Sequence, residues 1–439
     1  MRDQDLDAIK SAFRRLGVTT LLAKRLAEND NSKNQIYLGG SFEVLNLIPF
    51  SDSRVVRSSQ GRAVIHATFP LSWLRDDGTT APAPHAKLIL YPQYPEVRLS
   101  GFLRGAAGAP AELLIATARI AGRVLLLGVR PDRTVVGCAF SPDDIVARQL
   151  TASGVFDVGD VLARIPLDDD AARRDRLLLA LREIAEREWI ESFRLDSAGL
   201  RRPCNALNCG GLTLEGLLGI RPNSRSEPDF EGYEVKQFRV KDFTRFRAAS
   251  LITLFTPEPT IGLYAEAGVE AFVRAYGYPD QRGREDRLNF GGRFTIGRRL
   301  ARTGLTLVLT GADRHTGKIT EVDGSISLVD DEGKVAAGWP FASLIEHWNR
   351  KHAEAAYVPS MKLVDPLRFR YADTVFLGYG TDFGRFMRGL AEGAVCYDPG
   401  IKLEGVAGGA PRAHKRSQFR VGFAELEMMY ARFESVVMA

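Results

Sequence analysis

Cysteine is scarce. The 439 residues hold four, Cys138, Cys204, Cys209 and Cys396, too few for the disulfide framework of a small secreted fold. Cys204 and Cys209 have four residues between them, but no second Cys/His pair follows at the spacing of a structural zinc site. Long apolar runs are missing too. No stretch approaches the roughly 18 apolar residues that a transmembrane helix requires. The first residues, MRDQDLDAIKSAFRRLG, are polar and helix-patterned and lack the apolar centre of a signal peptide. Together these absences lead us to expect a cytoplasmic protein with no membrane partner and with its cysteines reduced. Also absent are a P-loop, a G-x-G-x-x-G after a strand, a G-x-S-x-G elbow and an H-E-x-x-H helix. ATP hydrolysis, dinucleotide chemistry and serine hydrolysis are therefore disfavoured.

The remaining composition is that of an ordinary globular chain, 45% hydrophobic and 26% charged, and its length implies two or three domains. The net charge of +5 is a mild tilt that decides little alone. It gains meaning only beside a site that handles phosphate.

Residues 1–165 read as one unit. A helix is expected from Leu6 to Glu28, followed by short apolar runs, AVIHATF, AKLILYP and RVLLLGV, set apart by Gly, Pro and Asp. These are strand signals of a mainly β or α+β domain. Residues 166–197 form an expected linker helix between two domains, with a core helix of either domain as an equal alternative. Asp168, Asp169 and Asp170 suit a helix start, and Leu177, Leu178, Leu181, Ile184, Ala185 and Trp189 recur at helical spacing. Residues 198–439 read as an α/β or α+β domain, with strands in GYEVKQF, SLITLFT, LTLVLTG and SISLVDD. Helices are expected at 212–219, 265–276, 338–353, 381–392 and 421–436.

The informative segment is residues 208–238, which contains Asp229 and then Glu234, Val235 and Lys236. In a strand, residues two apart share a face. Glu234 and Lys236 would point one way and Val235 the other, into the core. Gly232 permits a bend before the strand, and Asp229 on the adjoining turn can aim at the same point. Converging carboxylates make an oxygen-only site for a hard cation, and Mg²⁺ accepts one or two of them plus a substrate phosphate. Such an ion neutralises a scissile phosphate and acidifies water. Lys236 can then orient the attacking water and stabilise developing charge. Glu215 lies in the apolar helix LTLEGLLGI and would add a third carboxylate if that helix packs beside the strand. The opposing interpretation is a half-exposed strand with an ion pair and a solvent-facing glutamate.

The motifs Thr213 to Ile220, Asn223–Ser224, Pro228 to Phe230, Gly232 and Glu234 to Lys236 resemble the MvaI/BcnI restriction endonucleases, relatives of the mismatch-repair nickase MutH. SLITLFTPEPTIG (250–262), GRFMRGLAEGAVCYDPGIKLE and KRSQFRVGF also look familial, so the resemblance covers about residues 195–439. It implies a PD-(D/E)xK nuclease fold, with Asp229 and Glu234 as metal ligands, Lys236 as the catalytic lysine and Glu215 as the extra acidic residue. The expected cofactor is Mg²⁺ and the expected partner double-stranded DNA. Gln237 departs from the family, where a small polar residue such as Ser is expected after the lysine.

With a DNA-cleaving family behind it, the segment Asp313 to Lys318 becomes a candidate for base contacts through Arg314 and His315, with Lys318 beside them; a plain polar turn is the alternative. Arg293, Arg298, Arg299 and Arg302 are candidates for phosphate contact or for a solvated helix face, and Lys415, Arg416 and Arg420 for backbone contact, with His414 beside them. His347 and His352 lie five apart on an expected helix and share no face, so no metal is expected there. In the N-terminal unit, Lys33, Asn34, Gln35, Tyr91, Gln93, Tyr94, Arg98 and Arg104 are candidates for DNA or nucleotide binding. The leading functional expectation is a sequence-specific restriction endonuclease or nickase in phage defence, accompanied by a cognate methyltransferase or other defence components. The rivals are a partner-activated MutH-like repair nickase and a DNA-binding protein with a non-catalytic nuclease fold.

Overall fold

The computed structural model describes residues 4–28, 35–57, 61, 63–114, 120–156, 161–167, 170–206, 209–221, 229–281, 283–349, 354–409 and 411–438. Lys33, Asn34, Asp168, Asp169, Asn223, Ser224, Pro228 and His352 lie outside them. The chain divides into two compact units, Met1–Ala172 and Arg173–Ala439, both mixtures of strands and helices. Among the described residues no helix is long and apolar enough to cross a membrane.

The first helix ends at Arg15, well short of Glu28. Gly17 adopts φ +77° and its amide donates to the Arg14 carbonyl, while Val18 N–H reaches back to Phe13. That paired bonding is the glycine-terminated helix stop. The β-branched Val18, Thr19 and Thr20 then favour extension, and Thr20–Arg25 is a strand. It joins a six-stranded sheet whose core contains Phe13, Leu21, Leu126, Val136 and Phe140. The second sheet of this unit has five strands, in the spatial order Gln35–Gly39, Glu96–Ser100, Lys87–Tyr91, Ala63–Thr68 and Ser51–Arg57.

In the second unit the helix Asp170–Ala185 supplies Leu177, Leu181 and Ile184 to a core shared with Leu214, Val235, Val358 and Leu377. The centre of the main sheet is the long strand Glu354–Val364. It pairs antiparallel with Leu367–Tyr371 and Thr374–Tyr379, and parallel with Glu234–Arg239.

Several expected helices shift. The 265–276 helix is broken by Gly268 at φ +84° into Leu263–Glu266 and Gly268–Tyr276. The 338–353 helix starts only at Phe341 because Val335–Pro340 is a strand, and residues 350–353 lie outside those described. The 421–436 helix does not form. Leu426–Met429 is a single 3₁₀ turn, and Arg432–Val437 pairs antiparallel with Thr374–Tyr379. The cysteines also differ from expectation: Cys204 and Cys209 are joined as a disulfide, while Cys138 and Cys396 are free and buried.

Candidate active site

Residues 229–236 form a two-residue hairpin turn running into a strand. Phe230 and Tyr233 exchange backbone hydrogen bonds of 3.1 and 2.8 Å, and the central residues Glu231 and Gly232 both have positive φ, +49° and +83°. Two positive φ values define the turn whose twist matches antiparallel chains. Glycine takes this conformation readily, but glutamate there costs about 1 kcal/mol or more. The helix Asp170–Ala185 offsets that cost. Arg173 Nε and Nη2 donate to the Glu231 carbonyl at 3.1 and 2.6 Å, and Arg176 Nη2 donates to the Glu231 carboxylate at 2.7 Å. Gly232 is also a close approach, since a Cβ there would stand 1.5 Å from Arg173 Nη2.

The reversal sets Asp229 beside the strand. Its Oδ2 accepts the Val235 N–H at 2.9 Å. Val235 enters the core, 6% exposed, and its neighbours Glu234 and Lys236 point the other way, as the two-residue period requires. Lys236 Nζ donates to Glu234 Oε1 at 3.0 Å, with side chains only 17% and 10% exposed. On this side Lys236 stands in register with Tyr357, whose hydroxyl is 2.7 Å from that of Tyr430. Burial holds both phenols neutral, and the nearby Glu234 carboxylate adds to the effect. The structure thus gathers Asp229, Glu234 and Lys236 at one strand end.

Glu215 lies on the helix Gly210–Leu217, which packs against the same strand. The helix is tied down by Tyr371, whose hydroxyl donates to the Gly210 carbonyl at 2.8 Å, and by Thr213, which bonds Phe193. Its contact with the strand lies on the Val235 and Gln237 side. A Cβ on Gly210 would come within 3.0 Å of Gln237 Oε1, and Gln237 Nε2 donates to the buried Ser360 Oγ at 2.6 Å. Gln237, the departure noted after the lysine, is therefore a packing residue facing away from Glu234. Glu215 lies within electrostatic reach of Tyr371 on this side and contributes to keeping that phenol neutral. Among the described residues no three His, Cys, Asp or Glu side chains form a metal-binding group. The donor set beside Lys236 is the carboxylate pair Asp229 and Glu234, which fits a hard cation that keeps most of its waters.

The candidate DNA contacts lie in several segments of this unit. Asp313 accepts from the amides of His315 and Thr316 at 3.0 and 2.8 Å and from the Thr316 hydroxyl at 2.8 Å, and those bonds lower its pKa. This side-chain-closed turn presents Arg314, His315 and Lys318 to solvent. Gly317 fixes its base, because a Cβ there would meet the Met387 carbonyl at 2.3 Å. Arg293 and Arg298 are exposed in an irregular segment between strands, and no helix face forms there. Arg299 is neutralised by a two-pronged pair with Asp331, and Arg302 lies over the Tyr278 ring at 4.8 Å. Lys415 and Arg416 are exposed, His414 is 3.4 Å from Glu404, and Arg420 is structural, held to Asp398 at 2.7 Å. Half-buried His347 packs on Phe255.

Sequence reasoning missed Arg173 and Arg176. Their only signal was two arginines three apart on the hydrophilic side of a helix far from the motif.

No curated protein matches the chain in sequence. Among solved structures it is similar to a restriction endonuclease MvaI–cognate DNA substrate complex, with 18% identity, 60% of this chain and 98% of that chain covered, and a TM-score of 0.45. It is also similar to restriction endonuclease MvaI in the absence of DNA, with 16% identity, the same coverage and a TM-score of 0.32. The MvaI/BcnI restriction endonuclease family model matches residues 178–430, more than half of the chain and including Glu215, Asp229, Glu234 and Lys236, though not Arg173 and Arg176. The chain belongs to the MvaI/BcnI restriction endonuclease family.

Proposed function

We propose that this DNA endonuclease hydrolyses phosphodiester bonds of duplex DNA in a Mg²⁺-dependent, sequence-specific manner at Asp229, Glu234 and Lys236. The observation that carries the proposal is the Asp229 carboxylate seated on the Val235 amide, next in the chain to a Glu234 carboxylate that holds the Lys236 ammonium at 3.0 Å. When bound there, the divalent ion supplies charge neutralisation at the scissile phosphate and a more acidic water. Asp229 and Glu234 would hold it, the Val235 amide fixing the Asp229 carboxylate in direction. The Lys236 ammonium, held at Glu234, would orient water and meet the developing negative charge on the phosphate. Glu215, on the other side of the strand, acts as a supporting acid rather than as the principal ligand.

Arg314, His315 and Lys318 read base edges from their closed turn, while Arg293, Arg298, Lys415 and Arg416 contact phosphates. Restriction in phage defence beside a cognate methyltransferase is the biological setting we infer, in the cytoplasm. Incubating the purified chain with unmethylated supercoiled plasmid and Mg²⁺, beside Asp229→Ala and an EDTA control, tests the proposal. Open-circular or linear product from wild type alone supports it. Intact plasmid that is nevertheless bound would refute autonomous cleavage and favour a partner-activated nickase.

A further inference from the structure

The five-stranded sheet of the N-terminal unit lies outside the family match, and its two faces have opposite character. One is core: Ile36, Leu88, Leu90, Val97 and Leu99 are each 0% exposed. Across the other, the register aligns Tyr37, Arg98, Ile89, His66 and Arg54 in one row through all five strands. The next row carries Gln35, Ser100, Lys87 and Thr68, and Tyr91 stands opposite Glu96 on the far side. The long side chains are ordered against one another. The Arg98 guanidinium lies over the Tyr91 ring at 5.6 Å, donates to Gln35 at 3.2 Å and pairs with Glu96. Lys87 Nζ is 3.4 Å from His66 Nδ1, and Lys24 lies over the Tyr37 ring at 6.0 Å. In the Tyr91–Glu96 turn, Tyr94 is 73% exposed.

Charge and shape together select the occupant. Among the described residues of this sheet's row and turn, Arg54, Lys87 and Arg98 outnumber the acids Glu96 and Asp52, so the face carries surplus positive charge. His66 records it: besides burial, Lys87 and Arg54 push its pKa down. Five strands about 4.8 Å apart span about 19 Å, a width that suits a polymer better than one phosphate group. Tyrosine rings, a guanidinium plane and an amide on an open sheet are the groups on which unpaired bases stack. Duplex DNA hides its base faces and would leave the rings unused.

We propose that this face binds single-stranded DNA, with bases stacked on Tyr91 and Tyr94 and phosphates held by Arg54, Lys87 and Arg98. It is independent of the nuclease site. The test is fluorescence anisotropy of the full-length chain in EDTA with labelled oligothymidylate of about 20 nucleotides, beside a duplex of equal length. Wild type should bind the single strand in a salt-dependent way. Tyr94→Ala should weaken that binding about fivefold or more, the effect of losing one stacked base. Lys87→Ala should weaken it and lower the salt slope by about 0.7. Both variants should cleave plasmid as wild type does, and Asp229→Ala should bind the oligonucleotide normally. Undetectable oligothymidylate binding, unchanged affinity in both variants, or an equal loss on the duplex would each overturn the proposal.

Discussion

Replacing Gly232 with alanine probes how the turn between Asp229 and Glu234 is built, and its cost can be worked from the structure. A side chain at φ +83° costs roughly 1–2 kcal/mol. The new Cβ would stand 1.5 Å from Arg173 Nη2, so the guanidinium must leave the Glu231 carbonyl. Hydrogen bonds from a charged donor are worth about 1.5–3 kcal/mol. Gly232→Ala should therefore cost about 3–4 kcal/mol, and Arg173→Ala about 2 kcal/mol through the same lost bonds. With Arg173 already gone, the alanine meets no guanidinium and pays only the conformational part. The double variant should thus lie close to Gly232→Ala alone, with a coupling of about 2 kcal/mol. Urea unfolding of the four proteins, read at equal slopes, measures this. Additivity within about 0.5 kcal/mol would refute the reasoning. Both single variants should also lose plasmid cleavage, because Asp229 and Glu234 flank the turn.

Other outcomes follow from the same contacts. Lys236→Met leaves the 10%-exposed Glu234 carboxylate without its partner and should lower stability by roughly 3 kcal/mol; saturating Mg²⁺ should restore part of it in a thermal shift, whereas wild-type stability without any Mg²⁺ would argue against the buried pair. Glu215→Gln should slow cleavage less than Asp229→Ala, and equal losses in single-turnover rates would promote Glu215 to a direct ligand. Asp313→Ala should open the Arg314–His315 turn and weaken specific-site binding more than non-specific binding; competition with unrelated duplex decides. Because the His66 pKa is lowered in the folded chain, the unfolded chain takes up its proton first. The stability this group contributes is complete above about pH 6.5 and falls away as pH drops through the folded value. His66→Asn should flatten that part of the stability profile.

The core of the site was legible because its logic is local. Asp229, Glu234, Val235 and Lys236 sit within one turn and one strand, and a period of two sorts them without knowledge of the rest. The face of the strand against which the Glu215 helix packs was not legible, since it depends on Tyr371, Thr213 and Gln237 docking that helix from outside the motif. The Arg173 and Arg176 clamp comes from a helix 58 and 55 residues upstream of Glu231, too far away for spacing along the chain to tie it to the motif. Among the elements, strongly alternating runs such as LTLVLTG read true. The 421–436 segment did not, because its apolar spacing fits a helix and pairing with Thr374–Tyr379 overrides it. The first helix overran because Gly17 was not weighed as a stop, and the Cys204–Cys209 pair was read from an assumed reducing compartment rather than from proximity.

The parallel partner of the Glu234 strand has a consequence for how activity appears during synthesis. The nuclease motif leaves the ribosome early, but Glu234 to Arg239 have no sheet to join until Ala355 to Ser360 are made. That sheet is in turn extended by Arg432–Val437, and Tyr430 completes the surroundings of Glu234. Contacts so distant in sequence form late and slowly. A nascent or truncated chain therefore carries the motif without a working centre, and the capacity to cut DNA arises only when nearly the whole second unit has been made and folded.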